Sequence, residues 1–117
     1  MRVLIAEDSE SVRFALRLAV ESLGHEVVGA VSNGQQVLEQ YGQKHPDLVL
    51  MDVEMPELDG LACTSLLAQR DPQSRVLIVT GTRYTEEDAR QAGAKGYLTK
   101  PFALVELGHL LHAVVAA

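Results

Sequence analysis

Val3-Leu4-Ile5-Ala6-Glu7-Asp8 opens the chain with four apolar residues followed at once by two acids. The run shows no polar/apolar alternation, so it reads as a strand buried on both faces, as in a parallel sheet covered by helices. Outward from it, similar runs recur at residues 27–31, 48–51, 76–79 and 97–99, which makes five strands.

The intervening segments read as helices. Val12, Ala15, Leu16, Ala19, Val20 and Leu23 share one helical face, and Gly24 ends it. Ser32-Asn33-Gly34 reads as a turn, and Pro46 and Pro72 stand shortly before the next strands. Thr85-Glu86-Glu87-Asp88 reads as a capped start with acids at the positive end of the dipole. Gly93 closes that short helix, whose apolar face holds only Ala89 and Ala92, so it is weakly anchored. Strand alternating with helix predicts one doubly wound α/β domain over residues 1–117.

Composition narrows the function. The 117 residues suit a single domain, and 10 basic against 16 acidic residues give a net charge of −6, which disfavours direct nucleic-acid binding. The apolar runs are far short of the roughly 20 residues that span a bilayer, so no membrane association is expected. Met1-Arg2 leads straight into the first strand without a signal-peptide pattern, and Cys63 has no partner; both point to the cytoplasm. Cys63 itself reads as a small core residue.

In doubly wound sheets, ligands gather beyond the carboxyl ends of the strands. Glu7 and Asp8 follow the first strand, Asp52 the third, Thr80 the fourth and Lys100 the fifth. Three carboxylates brought together either keep protons or bind a cation, and all-oxygen ligation suits Mg²⁺. Asp8 and Asp52 are the expected direct ligands, with Glu7 acting through water. Asp52 is also a candidate nucleophile toward phosphorus, with Lys100 and the Thr80 hydroxyl stabilising phosphoryl oxygens. His109 and His112, one turn apart near the C-terminus, have no evident third ligand.

Glu7-Asp8, Met51-Asp52-Val53-Glu54-Met55-Pro56, Asp59-Gly60, Thr80-Gly81 and Lys100-Pro101-Phe102 together resemble the receiver domain of two-component response regulators, the CheY-like family, across the whole chain. The resemblance implies a flavodoxin-like sheet of order 2-1-3-4-5. It implies Asp52 as phosphoacceptor, Asp8, Asp52 and the Glu54 backbone carbonyl as Mg²⁺ ligands, and Glu7 as support through water. Glu7 stands where the family commonly has a second Asp. Thr80 and Lys100 would bind the phosphoryl oxygens, Thr80 and Tyr97 would form the switch, and Lys100-Pro101 would be a cis peptide. Glu54 and Thr82 would tune the phosphoryl lifetime.

A phosphoryl group adds about −1.5 to −2 charges, which draws Thr80 and Lys100 inward and opens space for Tyr97. The short helix after residues 82–84 is then the bistable element. In the last helix, over 103–117, Leu104, Leu107, Leu111 and Val115 form the expected core-facing set, and Val105, Leu110 and Val114 the surplus. That surplus, the last two helices and the Tyr97 strand are the expected partner or homodimer face. A sensor histidine kinase or phosphotransfer protein would supply the phosphoryl group, and a downstream target or output domain would read it. Three alternatives stand beside this reading: a haloacid-dehalogenase-type phosphatase, an FMN carrier, and a receiver-like module that acts by binding alone. The phosphatase places its Asp nearer the chain start and carries more chain, and the FMN carrier needs a phosphate-cradling loop where Glu7-Asp8 stands.

Overall fold

In the computed structural model, which describes residues 1–81 and 83–116, strands and helices alternate. Thr82, and Ala117 at the end of the predicted last helix, lie outside the described residues. The elements are β1 Arg2–Ala6, α1 Glu10–Ser22, β2 Glu26–Val31, α2 Gly34–Lys44, β3 Leu48–Met51, α3 Gly60–Arg70, β4 Val76–Thr80, α4 Glu86–Ala92, β5 Gly96–Thr99 and α5 Leu104–Ala116. All strand pairs are parallel, and the order is β2-β1-β3-β4-β5. The predicted fold and the reversal of winding between β1 and β3 are both present. Among the described residues no helix is long and apolar enough to cross a membrane.

Period-two alternation divides the central strands between two cores. Val3, Ile5, Leu48, Leu50, Leu77 and Val79 meet α1 and α5 through Leu16, Val20, Leu107, Leu111 and Val114. Leu4, Ala6, Val49, Met51, Val76 and Ile78 meet the other helices through Val37, Cys63, Leu67 and Ala89. Burying each such side chain contributes about 1.5 to 3 kcal/mol, which explains why β1, β3 and β4 are apolar on both faces. β2 and β5 lie at the sheet edges and are only half-buried.

Helix starts are set by side-chain caps. Ser9 caps α1, Asn33 caps α2 and Asp59 caps α3, each accepting from the backbone N–H three residues on. Asn33 is thus a cap and not merely part of a turn. Thr85 and Asp88 form a reciprocal capping box on α4, as predicted. Gly24 and Gly93 sit at φ +89° and +102°, in the left-handed region that ends helices.

α5 departs from the expected assignment. Leu104 is 47% exposed, while Val114, expected on the outer face, is buried with Leu107 and Leu111. Val115 and Leu110 pack partly against the same core. The helix therefore turns its Leu107, Leu111 and Val114 stripe inward, and the surplus narrows to Val105, 66% exposed, beside Leu104. Among the described residues, Phe14 and Leu18 on α1 are the other large exposed apolar residues.

Candidate functional site

β1 and β3 are adjacent and in register, Ala6 opposite Met51, so their next residues emerge side by side at one rim. The N–H of Asp52 donates to the Ala6 carbonyl at 2.9 Å, and that of Glu7 to the Val31 carbonyl at 3.0 Å, carrying the strand pattern one residue beyond the sheet. Glu7, Asp8 and Asp52 consequently offer carboxylate oxygens that all lie within 4.8 Å of one another. Glu7 and Asp52 are buried, only 2% and 8% exposed, whereas Asp8 faces solvent.

Lys100 reaches this cluster from the end of β5. Its Nζ is 2.9 Å from Glu7 Oε2 and 3.6 Å from Asp52 Oδ1. Its backbone N–H donates to the Thr80 carbonyl at 2.8 Å, which ties the lysine to the end of β4. Thr80 is itself buried, opposite Thr99 in the β4–β5 pairing. The peptide bond after Lys100 is cis, as the resemblance implied.

Burial, and then the neighbouring Glu7 charge, push the Asp52 carboxyl up to about 6, against the lowering effect of Lys100 and of the Val53 N–H. Two buried acids with one ammonium and a third, exposed acid form an oxygen-only set short of positive charge. That set fits a hard divalent cation such as Mg²⁺.

The flanking loops carry the remaining residues. Glu54 is exposed after β3, and its carboxylate pairs with Arg83 at 3.5 Å, across to the segment after β4. The Tyr97 hydroxyl donates to the Tyr84 carbonyl at 2.6 Å, linking β5 to the approach to α4. Thr82, expected beside Glu54, lies outside the described residues. His109 and His112 are exposed on α5, and among the described residues the only group of three or more His, Cys, Asp or Glu side chains close enough to hold a metal is Glu7, Asp8 and Asp52. Cys63 is a buried core residue.

Two contributors, Arg13 and Arg83, escape sequence reading, and a third, Gly60, escapes it in part. Arg13 on α1 donates to the Glu7 carbonyl, and no spacing rule announces such a long side-chain reach. Arg83 opposite Glu54 is equally silent in the sequence. Gly60 was legible as a motif member but not as a contact. A Cβ there would stand 2.0 Å from the Asp52 carbonyl oxygen.

Comparison with known proteins agrees with this geometry. The family model "Response regulator receiver domain" matches residues 3–112. The chain is 39% identical over 103 residues to chemotaxis protein CheY of Bacillus subtilis, covering 86% of each chain. It is 41% identical over 107 residues to transcriptional regulatory protein PdtaR of Mycobacterium tuberculosis, covering 91% of this chain and 52% of that one. Among solved structures, the receiver domain of a Pseudomonas aeruginosa sensor histidine kinase, with a magnesium ion coordinated in its active site cleft, matches at TM-score 0.89 and 27% identity, covering 99% of this chain and 98% of that one. With five parallel strands in the order 2-1-3-4-5 and a motif match over nearly its whole length, the chain belongs to the response regulator receiver domain family, the phosphoacceptor switches of two-component signalling.

Proposed function

We propose that Asp52 accepts a phosphoryl group from a phosphohistidine of a sensor kinase or phosphotransfer protein, and that the resulting charge switches the face built by α4, β5 and α5. One observation carries this reading: the oxygens of Glu7, Asp8 and Asp52 gather within 4.8 Å, with the Lys100 ammonium against two of the three residues. Asp8, Asp52 and the Glu54 carbonyl would hold Mg²⁺, with Glu7 supporting it through water. When bound, the ion supplies positive charge for the phosphoryl oxygens and lowers the repulsion among the acids.

The chain's own residues do the rest. An Asp52 carboxylate oxygen forms the new O–P bond as the P–N bond of the phosphohistidine breaks, and the imidazole leaves with the electron pair. A group held up to about 6 is largely ionised near neutral pH, so the nucleophile needs no separate base. Lys100, bonded to Glu7 and near Asp52, is placed to swing onto the incoming oxygens, and Thr80 offers a hydroxyl from the neighbouring strand end. Glu54, paired with Arg83 at 3.5 Å, and Thr82 would govern the approach of hydrolytic water.

The readout follows from weak anchoring. α4 has seven residues and buries only Ala89, so its position depends on the segment in front of it. Tyr97 is bonded into that segment at Tyr84, so a turn of its ring would carry a change at Thr80 toward α4. At the start of α5, Leu104, which lies with Phe102 against α1, and Val105 leave apolar surface for a target, an output domain or a second copy.

The test is intact mass after incubation with Mg²⁺ and acetyl phosphate. Wild type gains one phosphoryl group that is stable to acid and labile to base, and Asp52→Asn gains none. Rapid turnover of the donor without an adduct points to phosphatase chemistry, and no reaction at all points to a domain that signals by binding alone; either overturns the proposal.

A further inference from the structure

We propose that Arg13 is a positioning residue for the acidic rim: its guanidinium fixes the backbone of Glu7 and Asp8, and thereby where their carboxylates stand relative to Asp52. The inference rests on the metal-binding reading above and adds to it a residue outside the rim.

Arg13 lies in the first turns of α1 and is half-buried. Its Nη1 is 2.7 Å from the Glu7 carbonyl oxygen and 3.5 Å from that of Asp8. Both carbonyls precede the Ser9 N-cap, so neither enters the helical ladder, which begins when the Ser9 carbonyl accepts the Arg13 N–H at 2.8 Å. One residue thus closes the junction at both ends, its backbone on the cap and its side chain on the two residues in front of the cap. A guanidinium suits that task because it is planar, charged at every working pH, and donates in several directions at once. Hydrogen bonds from a charged donor are also stronger than neutral ones.

The three acids depend on this junction unequally. Asp52 is held by β3 and its bond to Ala6, and Glu7 by Lys100 and by the Ser9 N–H at 3.3 Å. Asp8 is exposed, and among the described residues its carboxylate accepts no hydrogen bond, so its place is set through its backbone. Arg13 holds that backbone chiefly through the Glu7 carbonyl at 2.7 Å, which belongs to the Glu7–Asp8 peptide, with the Asp8 carbonyl a longer contact at 3.5 Å.

Charge alone predicts the opposite outcome, which makes the test decisive. A nearby cation repels a divalent cation, so removing Arg13 by electrostatics only would tighten Mg²⁺ binding. Loss of positioning weakens it.

The experiment is calorimetric titration of Mg²⁺ into wild type, Arg13→Met, Arg13→Lys and Arg17→Ala. Arg13→Met keeps the apolar stem and removes the donor, and melting temperatures in chelator show that each variant is folded. Arg13→Met is expected to bind Mg²⁺ about 10- to 100-fold more weakly, the usual cost of losing a group that orients a metal ligand. Arg13→Lys, with one compact ammonium in place of the fork, falls between. Arg17→Ala, whose side chain pairs with Glu21 at 3.7 Å on the same helix, stays at the wild-type value. A folded Arg13→Met with wild-type or tighter affinity overturns the inference. If Arg13→Met does not fold, Arg13→Lys decides by the same criterion. A wild type that binds no Mg²⁺ overturns the metal reading itself, whereas equal binding by wild type and variants overturns only the role of Arg13.

Discussion

Gly60→Ala probes how tightly the backbone of Asp52, the proposed phosphoacceptor, is pinned to α3. A Cβ at position 60 would lie 2.0 Å from the Asp52 carbonyl oxygen, 2.8 Å from Val53 Cα and 2.9 Å from the Asp52 carbonyl carbon, all backbone atoms. Ordinary contact begins near 3.4 Å, so one side must retreat by more than 1 Å. If α3 retreats, the Gly60 N–H bond to the Val53 carbonyl at 2.8 Å is lost. If Asp52 retreats, its N–H bond to Ala6 at 2.9 Å is strained and the carboxylate moves with it. Overpacking of this kind costs about 1 to 3 kcal/mol, partly offset by up to about 1 kcal/mol from the better helix propensity of alanine. Displacing a reacting group by about 1 Å slows a reaction roughly 100-fold. Urea unfolding with rates of adduct formation from acetyl phosphate and Mg²⁺ reads both effects. The expected result is a loss of about 1 to 2 kcal/mol and a rate one to two orders of magnitude down. Gly42→Ala, where the added Cβ meets nothing within 4 Å, should gain about 0.5 to 1 kcal/mol and keep the wild-type rate. A Gly60→Ala protein as stable and as fast as wild type would refute the reasoning.

Without divalent cations, an acid whose folded pKa is raised to about 6 stabilises the fold only while protonated; that contribution is present below about pH 4 and is lost as pH rises toward 6. Asp52→Asn should therefore be more stable than wild type at pH 7 in chelator, by at most about 3 kcal/mol for a displacement of roughly two pH units. The two should converge near pH 4, as followed by urea midpoints. The Cys63 thiol, pushed up to about 12 first of all by burial, should resist a disulfide-exchange reagent at pH 8 in the native protein and react at once in urea; fast native labelling would contradict the packing. Thr85→Ala removes half of the capping box and should weaken α4 by about 1 kcal/mol. Because α4 buries so little, the loss should appear as faster amide exchange over residues 86–92 with little change in the global unfolding midpoint.

The strands and the rim were legible because both depend on local pattern. An apolar run ends in a residue that must emerge at the carboxyl-end rim of the sheet, so Glu7, Asp8, Asp52, Thr80 and Lys100 could be expected together before any distance was known. Rotation of α5 was not legible: Leu104, Leu107, Leu110, Leu111, Val114 and Val115 offer more than one apolar stripe, and only packing against Leu77, Val79 and Leu98 selects Leu107, Leu111 and Val114. Nor were Arg13 and Arg83 legible, since a long charged side chain on a helix or loop has many places to go, and the choice depends on acceptors that only the folded backbone presents.

The order of the strands also sets when the site can exist during synthesis. Asp52 follows the third strand made, but its ammonium partner Lys100 follows the last, and β4, which lies between them in the sheet, is made only after residue 75. A nascent chain therefore shows its acids long before it can neutralise them. It becomes a competent acceptor only once nearly all of the domain has left the ribosome. On the proposed reading, the winding of the sheet by itself keeps a half-made switch from accepting a phosphoryl group.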